Sequence, residues 1–393
     1  TPTLVALCLL AYVAARRTGE GDAGAPVPAS SVACDLSKTN SLVTEGDFDS
    51  LAELALLCKN GHTLVAQALL ASGFSRPAAA TRQKVARALG NVARNLLQDG
   101  GGPLVNRCIA ALSELAMSDG NPLVRAHAVE ALGVVGSAAT KHAAVAGACV
   151  EALAEKAGVD HGHLGYLVRK KAARSLAAIA SSQIGVDRGL AAQCVSLLSS
   201  VSLRDRDHIV RETATQLLGE VVITAIARHE ESVAMQIVQA MTKLALSDAA
   251  VSVREIAVQV VGGVAISAKG ARAGYGATCA DALATRALDD EAFVIRLVAA
   301  EVLGTLAVRS MSDDARVAGW VSALTEKALT DRGPHGALVR RRAVELLANV
   351  ARAAFGKVDS VARVCVSALV RLGLVDSAAS VRVRAAEALG GLG

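Results

Sequence analysis

The stretch "DHGHLGYLVRKK", Asp160 to Lys171, puts a carboxylate, the histidines His161 and His163, and the cations Arg169, Lys170 and Lys171 close together in sequence. Such residues can ligate a metal or relay protons. A zinc site needs three or four donors, however, and no cysteine or carboxylate-histidine cluster accompanies this pair. The only other start of a metal motif is His229-Glu230, where Val233 stands in place of the second zinc-binding histidine. An exposed helix end accounts for that dipeptide, and Arg16-Arg17 read as the charged end of another helix. No Cys-x-x-Cys, Gly-x-Ser-x-Gly, phosphate-binding loop or dinucleotide fingerprint occurs. The expectation is therefore a non-enzyme with no catalytic residues, no cofactor and no metal.

What must position these residues is a repeat. The segments "TRQKVARALGNVA", "VRAHAVEALGVVG", "VRKKAARSLAAIA", "VRETATQLLGEVV", "VREIAVQVVGGVA", "IRLVAAEVLGTLA", "VRRRAVELLANVA" and "VRVRAAEALGGLG" follow one another, with anchoring arginines at Arg82, Arg125, Arg169, Arg211, Arg254, Arg296, Arg340 and Arg382. Their spacing stays between 42 and 44 residues. Apolar residues recur at helical spacing after each arginine, and eight positions on stands a small residue: Gly90, Gly133, Ala177, Gly219, Gly262, Gly304, Ala348 and Gly390. Small residues there admit a neighbouring helix, which outweighs the cost of about 1 kcal/mol for glycine in a helix. A second apolar helix precedes each anchor, so each copy is a helical hairpin that buries its apolar face only by stacking.

Five aspartates, Asp119, Asp205, Asp248, Asp290 and Asp376, lie six residues before Arg125, Arg211, Arg254, Arg296 and Arg382. They are placed to cap the second helix and to face an arginine of their own or the adjacent copy, giving a structural ladder of ion pairs. An aspartate, then Val-Arg, then Ala-Leu-Gly on this period resembles HEAT repeats, over about residues 75 to 393. The resemblance implies an all-α, α-α superhelix, a HEAT/armadillo-like solenoid of helical hairpins. It also implies a scaffold, since such repeats build phosphatase scaffolds, nuclear transport receptors, chromosome-organising subunits and ciliary proteins. The expected organisation is the end of a partial repeat at 1–18, a Gly/Pro/Ser-rich loop at 19–31, an irregular armadillo-like unit at 32–74, and about eight HEAT-like repeats over 75–393, continuing beyond the chain ends. Related repeats also occur in bilin lyases and in hydroxylases whose several His-Glu pairs hold a di-iron centre. A cofactor- or metal-handling enzyme is thus the competing class, although this chain has a single such pair.

Eleven residues before the turn aspartates stand Cys108, Cys149, Cys194, Ile237, Cys279, Trp320 and Cys365, all in one slot of the first helix. Isoleucine and tryptophan there mark a buried apolar position, where a free cysteine acts as a small hydrophobe. Successive slots about 10 Å apart are too far for disulfides, and reduced thiols point to a cytoplasmic compartment, with nuclear and ciliary settings equally compatible.

The opening stretch now reads as a lengthened turn. Asp160 to Arg169 spans nine residues instead of six, and Asp331 to Arg340, "DRGPHGALVR", does the same with His335. Such insertions map to one edge of a solenoid, where partners are often contacted. Behind them come Lys170-Lys171 and Arg341-Arg342. Five residues beyond the anchors stand Arg87, Glu130, Arg174, Gln216, Gln259, Glu301, Glu345 and Glu387, so the inner ridge is expected to grade from basic to acidic around an apolar spot at Leu297 and Val298, with Ile256 at the same register. The candidate protein-binding residues are accordingly His161, His163, Lys170, Lys171, Arg174, Ile256, Leu297, Val298, His335, Arg341 and Arg342.

Composition agrees: of 393 residues, 52% are hydrophobic but only 2% aromatic, a recipe for closely packed small side chains. The net charge of +5 is mild and dispersed, so nucleic acid is not an expected partner beyond weak binding along the basic half. The apolar run near the N-terminus is about a dozen residues, short of the roughly twenty a membrane span requires, so no membrane insertion is expected. Other proteins, within a larger complex, are the expected partners.

Overall fold

The computed structural model describes residues 61–72, 78–98, 102–160, 164–267, 274–311, 314–333 and 335–392, with isolated positions between 41 and 51. The expected segments 1–18 and 19–31, and most of 32–74, lie outside them. Among the described residues there are helices and turns and no strand. The described residues divide into two units, one up to Ile237 and one from Val238 on.

In the first unit the described helices are α1 (Gly61–Ser72), α2 (Ala79–Gln98), α3 (Gly102–Ser118), α4 (Pro122–Ala138), α5 (Ala143–Val159), α6 (Gly165–Gln183), α7 (Arg188–Ser200) and α8 (His208–Ala227). The division falls within α9 (Glu231–Lys243). The second unit continues with α10 (Val251–Ile266), α11 (Gly274–Ala282), α12 (Phe293–Arg309), α13 (Asp314–Thr330), α14 (Gly336–Ala354), α15 (Asp359–Val375) and α16 (Ala379–Gly390). A π turn, Leu283–Ala287, extends α11. Even-numbered helices carry the repeat anchors, and odd-numbered ones precede them.

Local sequence explains the boundaries. Asn121 caps α4 by accepting the Leu123 N–H, and Pro122 follows at the first helical position, where its missing N–H costs nothing. Asp207 caps α8 through the Ile209 N–H, and Asp187 caps α7 through the Leu190 N–H. His229, φ 61°, takes the left-handed position after α8, as an exposed helix end.

Within each unit, consecutive even-numbered helices pack on one another through the small-residue slot. A Cβ on Gly90 would lie 2.7 Å from the Ala131 Cβ, and one on Gly133 would lie 2.9 Å from the Ser175 Cα. On Gly262 it would meet Val302 at 2.6 Å, and on Gly304 it would meet Leu346 at 2.8 Å. The eighth residue after one anchor therefore lies against the sixth after the next, which fixes how neighbouring helices are offset. The odd-numbered helices supply the rest of the core. Cys108, Cys149, Cys194, Ile237, Cys279, Trp320 and Cys365 are all buried. Burial pushes the five cysteine thiols up to about 12, so they carry no thiolate at neutral pH. With Cys8, Cys34 and Cys58 replaced by serine, the native chain is expected to show no rapid labelling by a thiol reagent, and all five sites after denaturation. Fast labelling of any of the five in the native state would contradict the slot.

Candidate functional site

Two ladders of charge run along the even-numbered helices. The first is buried. Arg125 donates from Nε and Nη2 to both Asp160 carboxylate oxygens at 2.7 and 3.1 Å, a bidentate pair between adjacent copies. Arg82 makes the same fork with Asp119, Arg169 with Asp205, Arg254 with Asp290 and Arg340 with Asp376, while Arg296 reaches Asp331 through Nε at 2.9 Å. The remaining Nη1 turns back to the backbone of its own copy. Arg125 donates to the Asp119 carbonyl, Arg211 to Asp205, Arg254 to Asp248, Arg296 to Asp290 and Arg382 to Asp376. Arg125, Arg169, Arg254, Arg296 and Arg340 thus each bridge their own turn and the next.

The aspartates do not cap the second helices as expected. Each accepts the N–H two residues on, as in Asn121 to Asp119, Asp207 to Asp205, Ala250 to Asp248, Ala292 to Asp290 and Ala378 to Asp376, closing an Asx turn one step ahead of the helix. In Asp119, Asp205, Asp290 and Asp376 the oxygen that accepts this N–H also accepts an arginine Nη2, and the other oxygen accepts Nε. Burial pushes the Asp119 carboxyl up, but the Arg82 hydrogen bonds and charge outweigh it and hold it below the usual carboxylate range. Arg340 does the same for Asp376.

The lengthened turns keep this ladder intact. Asp160 and Asp331, excluded by a six-residue spacing, occupy the aspartate slot, and Arg169 and Arg340 still donate to their carbonyls across nine residues. Both insertions end alike. Leu164 (φ 59°) and His335 (φ 56°) sit in the left-handed region, followed by Gly165 and Gly336, whose added Cβ would strike the Asp160 and Asp331 carbonyl oxygens at 2.4 and 2.6 Å. His161 and His163 lie outside the described residues. His335 packs at a tilt against Phe293 of the preceding copy with ring centroids 4.5 Å apart, and Arg332 donates to the Ser377 hydroxyl.

The second ladder is exposed, and it revises the graded ridge. The cation two residues after one anchor meets the carboxylate five residues after the previous anchor. Lys171 pairs with Glu130 at 2.7 Å, Arg342 with Glu301 at 3.1 Å and Arg384 with Glu345 at 2.9 Å. Arg342 also holds Glu345, and Arg384 holds Glu387, within their own helices. Burial raises Glu345, but the hydrogen bond and charge of Arg342, joined by Arg384, outweigh it and lower it below the ordinary value. The acidic end of the ridge is therefore a chain of neutralised pairs. Lys171 and Arg342, expected as partner contacts, are engaged within it. Ile256, Leu297 and Val298 are half-buried on α10 and α12, Arg174 and Arg341 are exposed on α6 and α14, and Lys170 is half-buried on α6. Lys170 and Arg341 make no ion pair among the described residues.

Among the described residues, no three His, Cys, Asp or Glu side chains are grouped to hold a metal ion. Glu230 pairs with Arg188 at 2.8 Å. Among the described residues, no helix is long and apolar enough to cross a membrane.

Paired helices, the close small-residue contact and the arginine-aspartate ladder define an all-α solenoid of the HEAT/armadillo-like class. No family model and no curated protein matches the sequence. Similar solved structures include an engineered protein at 18% identity and TM-score 0.40, covering 92% of this chain and 97% of that one. A designed armadillo repeat protein matches at 20% identity and TM-score 0.37, over 61% of this chain and 98% of its own. Importin beta, crystallised in an ammonium sulfate condition, matches at 12% identity and TM-score 0.46, over 99% of this chain and 54% of its own.

Proposed function

We propose that this chain is a non-catalytic scaffold or adaptor that presents its even-numbered helices to other proteins, as a subunit of a larger intracellular assembly. One observation carries the reading: within each unit these helices stack in a fixed offset, so the residues five positions after each anchor, with most of those one and two positions after it, form a row of half-buried or exposed side chains. A row of that kind recognises an extended partner through many small contacts. The buried, free cysteines support a reducing compartment.

Cross-linking mass spectrometry of the native assembly tests it. Links to other proteins are expected on Lys84, Lys170 and Lys171, which stand on this row. Links confined to Lys141, Lys243 and Lys357, which are exposed elsewhere, would refute it.

A further inference from the structure

The two units spend their ridge charges differently. In the second, Arg342 and Arg384 are consumed by Glu301, Glu345 and Glu387. In the first, α2 carries Lys84, Arg87, Asn91 and Arg94 on one face, at successive spacings of three, four and three residues, and α6 carries Lys170, Lys171 and Arg174. Arg87, Arg94 and Lys170 make no ion pair among the described residues, and Lys171 pairs with Glu130 of α4. Like charges at such spacings weaken a helix, and stacking does not require them.

We infer that the ridge of α2, α4 and α6 docks an extended acidic segment of a partner protein, an inference that rests on the scaffold reading and gives its partner a chemistry. The basic stations on α2 and α6 are separated by α4, which offers His127 and an already neutralised Glu130. Adjacent packed helices lie about 8–10 Å apart, so the stations are about 20 Å apart, or six residues of extended chain at about 3.3 Å each. The matching ligand carries two clusters of Asp or Glu about six residues apart. A nucleic-acid strand fits less well. Its evenly spaced phosphates would also face Glu130, and Tyr166, four residues before Lys170 on α6, is the single Phe, Tyr or Trp on these three helices, too few for a row of stacked bases.

The test is fluorescence anisotropy at low salt with the full chain and a labelled peptide, GSEEGSGSEEGS. A lysine-for-glutamate version of the peptide and a uridine dodecanucleotide serve as comparators. The acidic peptide is expected to bind, and the lysine version is not. Arg87→Glu with Lys170→Glu is expected to weaken binding about fivefold or more, Arg87→Gln with Lys170→Gln about two- to threefold, and Lys357→Glu not at all. Circular dichroism of each variant reports folding. Equal binding by the parent and both double variants overturns the inference, as does tighter, equally charge-dependent binding of the oligonucleotide. Either result leaves ridge cross-links in the native assembly unaffected, so the scaffold reading stands or falls separately.

Discussion

Replacing Arg296 by methionine is expected to destabilise the second unit by about 3–5 kcal/mol. The arginine is 2% exposed and its partner Asp331 is 4% exposed, so the substitution strands a carboxylate away from water. What remains near it is the Gly333 N–H at 3.0 Å and the Lys327 ammonium at 4.0 Å, a partial compensation. It also frees the Asp290 and Glu291 carbonyls that Nη1 now satisfies. Adding Asp331→Asn should recover part of the loss, since the neutral amide keeps the Gly333 contact without the buried charge, and the two changes will be strongly non-additive. Arg384→Met removes ion pairs of similar length, yet its side chain is 44% exposed and water and salt screen it, so its expected loss is small beside that of Arg296→Met. Burial, not the number of contacts, separates these outcomes. Trp320, the single tryptophan, sits buried in α13 beside these repeats, so its fluorescence in a urea titration reports this region. That matters because repeat arrays unfold by neighbour interactions and a global signal would average them. Equal losses for Arg296→Met and Arg384→Met would remove the argument.

Much of this architecture is legible in the sequence because it is periodic. The anchor arginines, the small residue eight positions on and the cysteine slot each recur once per hairpin; the cysteine slot is buried throughout, the small residue in all copies but the last, and the arginines are buried or half-buried. The direction of pairing is not legible. Arg125 has Asp119 six residues away in sequence, yet its side chain crosses to Asp160, because the Asx turn points the Asp119 carboxylate back toward Arg82. The ridge was misread for a related reason. Sequence shows which side chains share a helix face, but not how far neighbouring helices slide past each other. That slide is set by the small-residue contact, eight after one anchor against six after the next. An offset of two to three residues brings Glu130 to Lys171 and Glu301 to Arg342. A gradient inferred from single positions becomes a ladder once the offset is known. The lengthened turns show the reverse case: their inserted histidines are of a metal-ligating type, whereas their aspartates and arginines keep ordinary places in the ladder.

The same offset makes Gly133 a sensitive glycine of the first unit. Any side chain there places a Cβ 2.3 Å from the Ser175 hydroxyl, 2.5 Å from its Cβ and 2.9 Å from its Cα. A hydroxyl can rotate, but the last contact is with backbone, so α6 must move away from α4. The Ser175 hydroxyl also donates to the Val129 carbonyl of α4 at 3.1 Å and would lose that bond. Overpacking of this kind costs about 1–3 kcal/mol or more, against a gain of at most about 1 kcal/mol from replacing a helical glycine by alanine. Gly133→Ala should therefore destabilise by roughly 1–2 kcal/mol and Gly133→Val by more than 3, as read by helical circular dichroism in urea. Gly147 is the control. It lies within α5 with open space where a Cβ would point, so Gly147→Ala should stabilise by about 0.5–1 kcal/mol. Opposite signs for one chemical change in two helices of the same unit would follow from the inter-helix contact alone. If both substitutions stabilise, the glycine slot does not set the spacing of these helices. The Glu130–Lys171 pair, which depends on that spacing, would then need another cause.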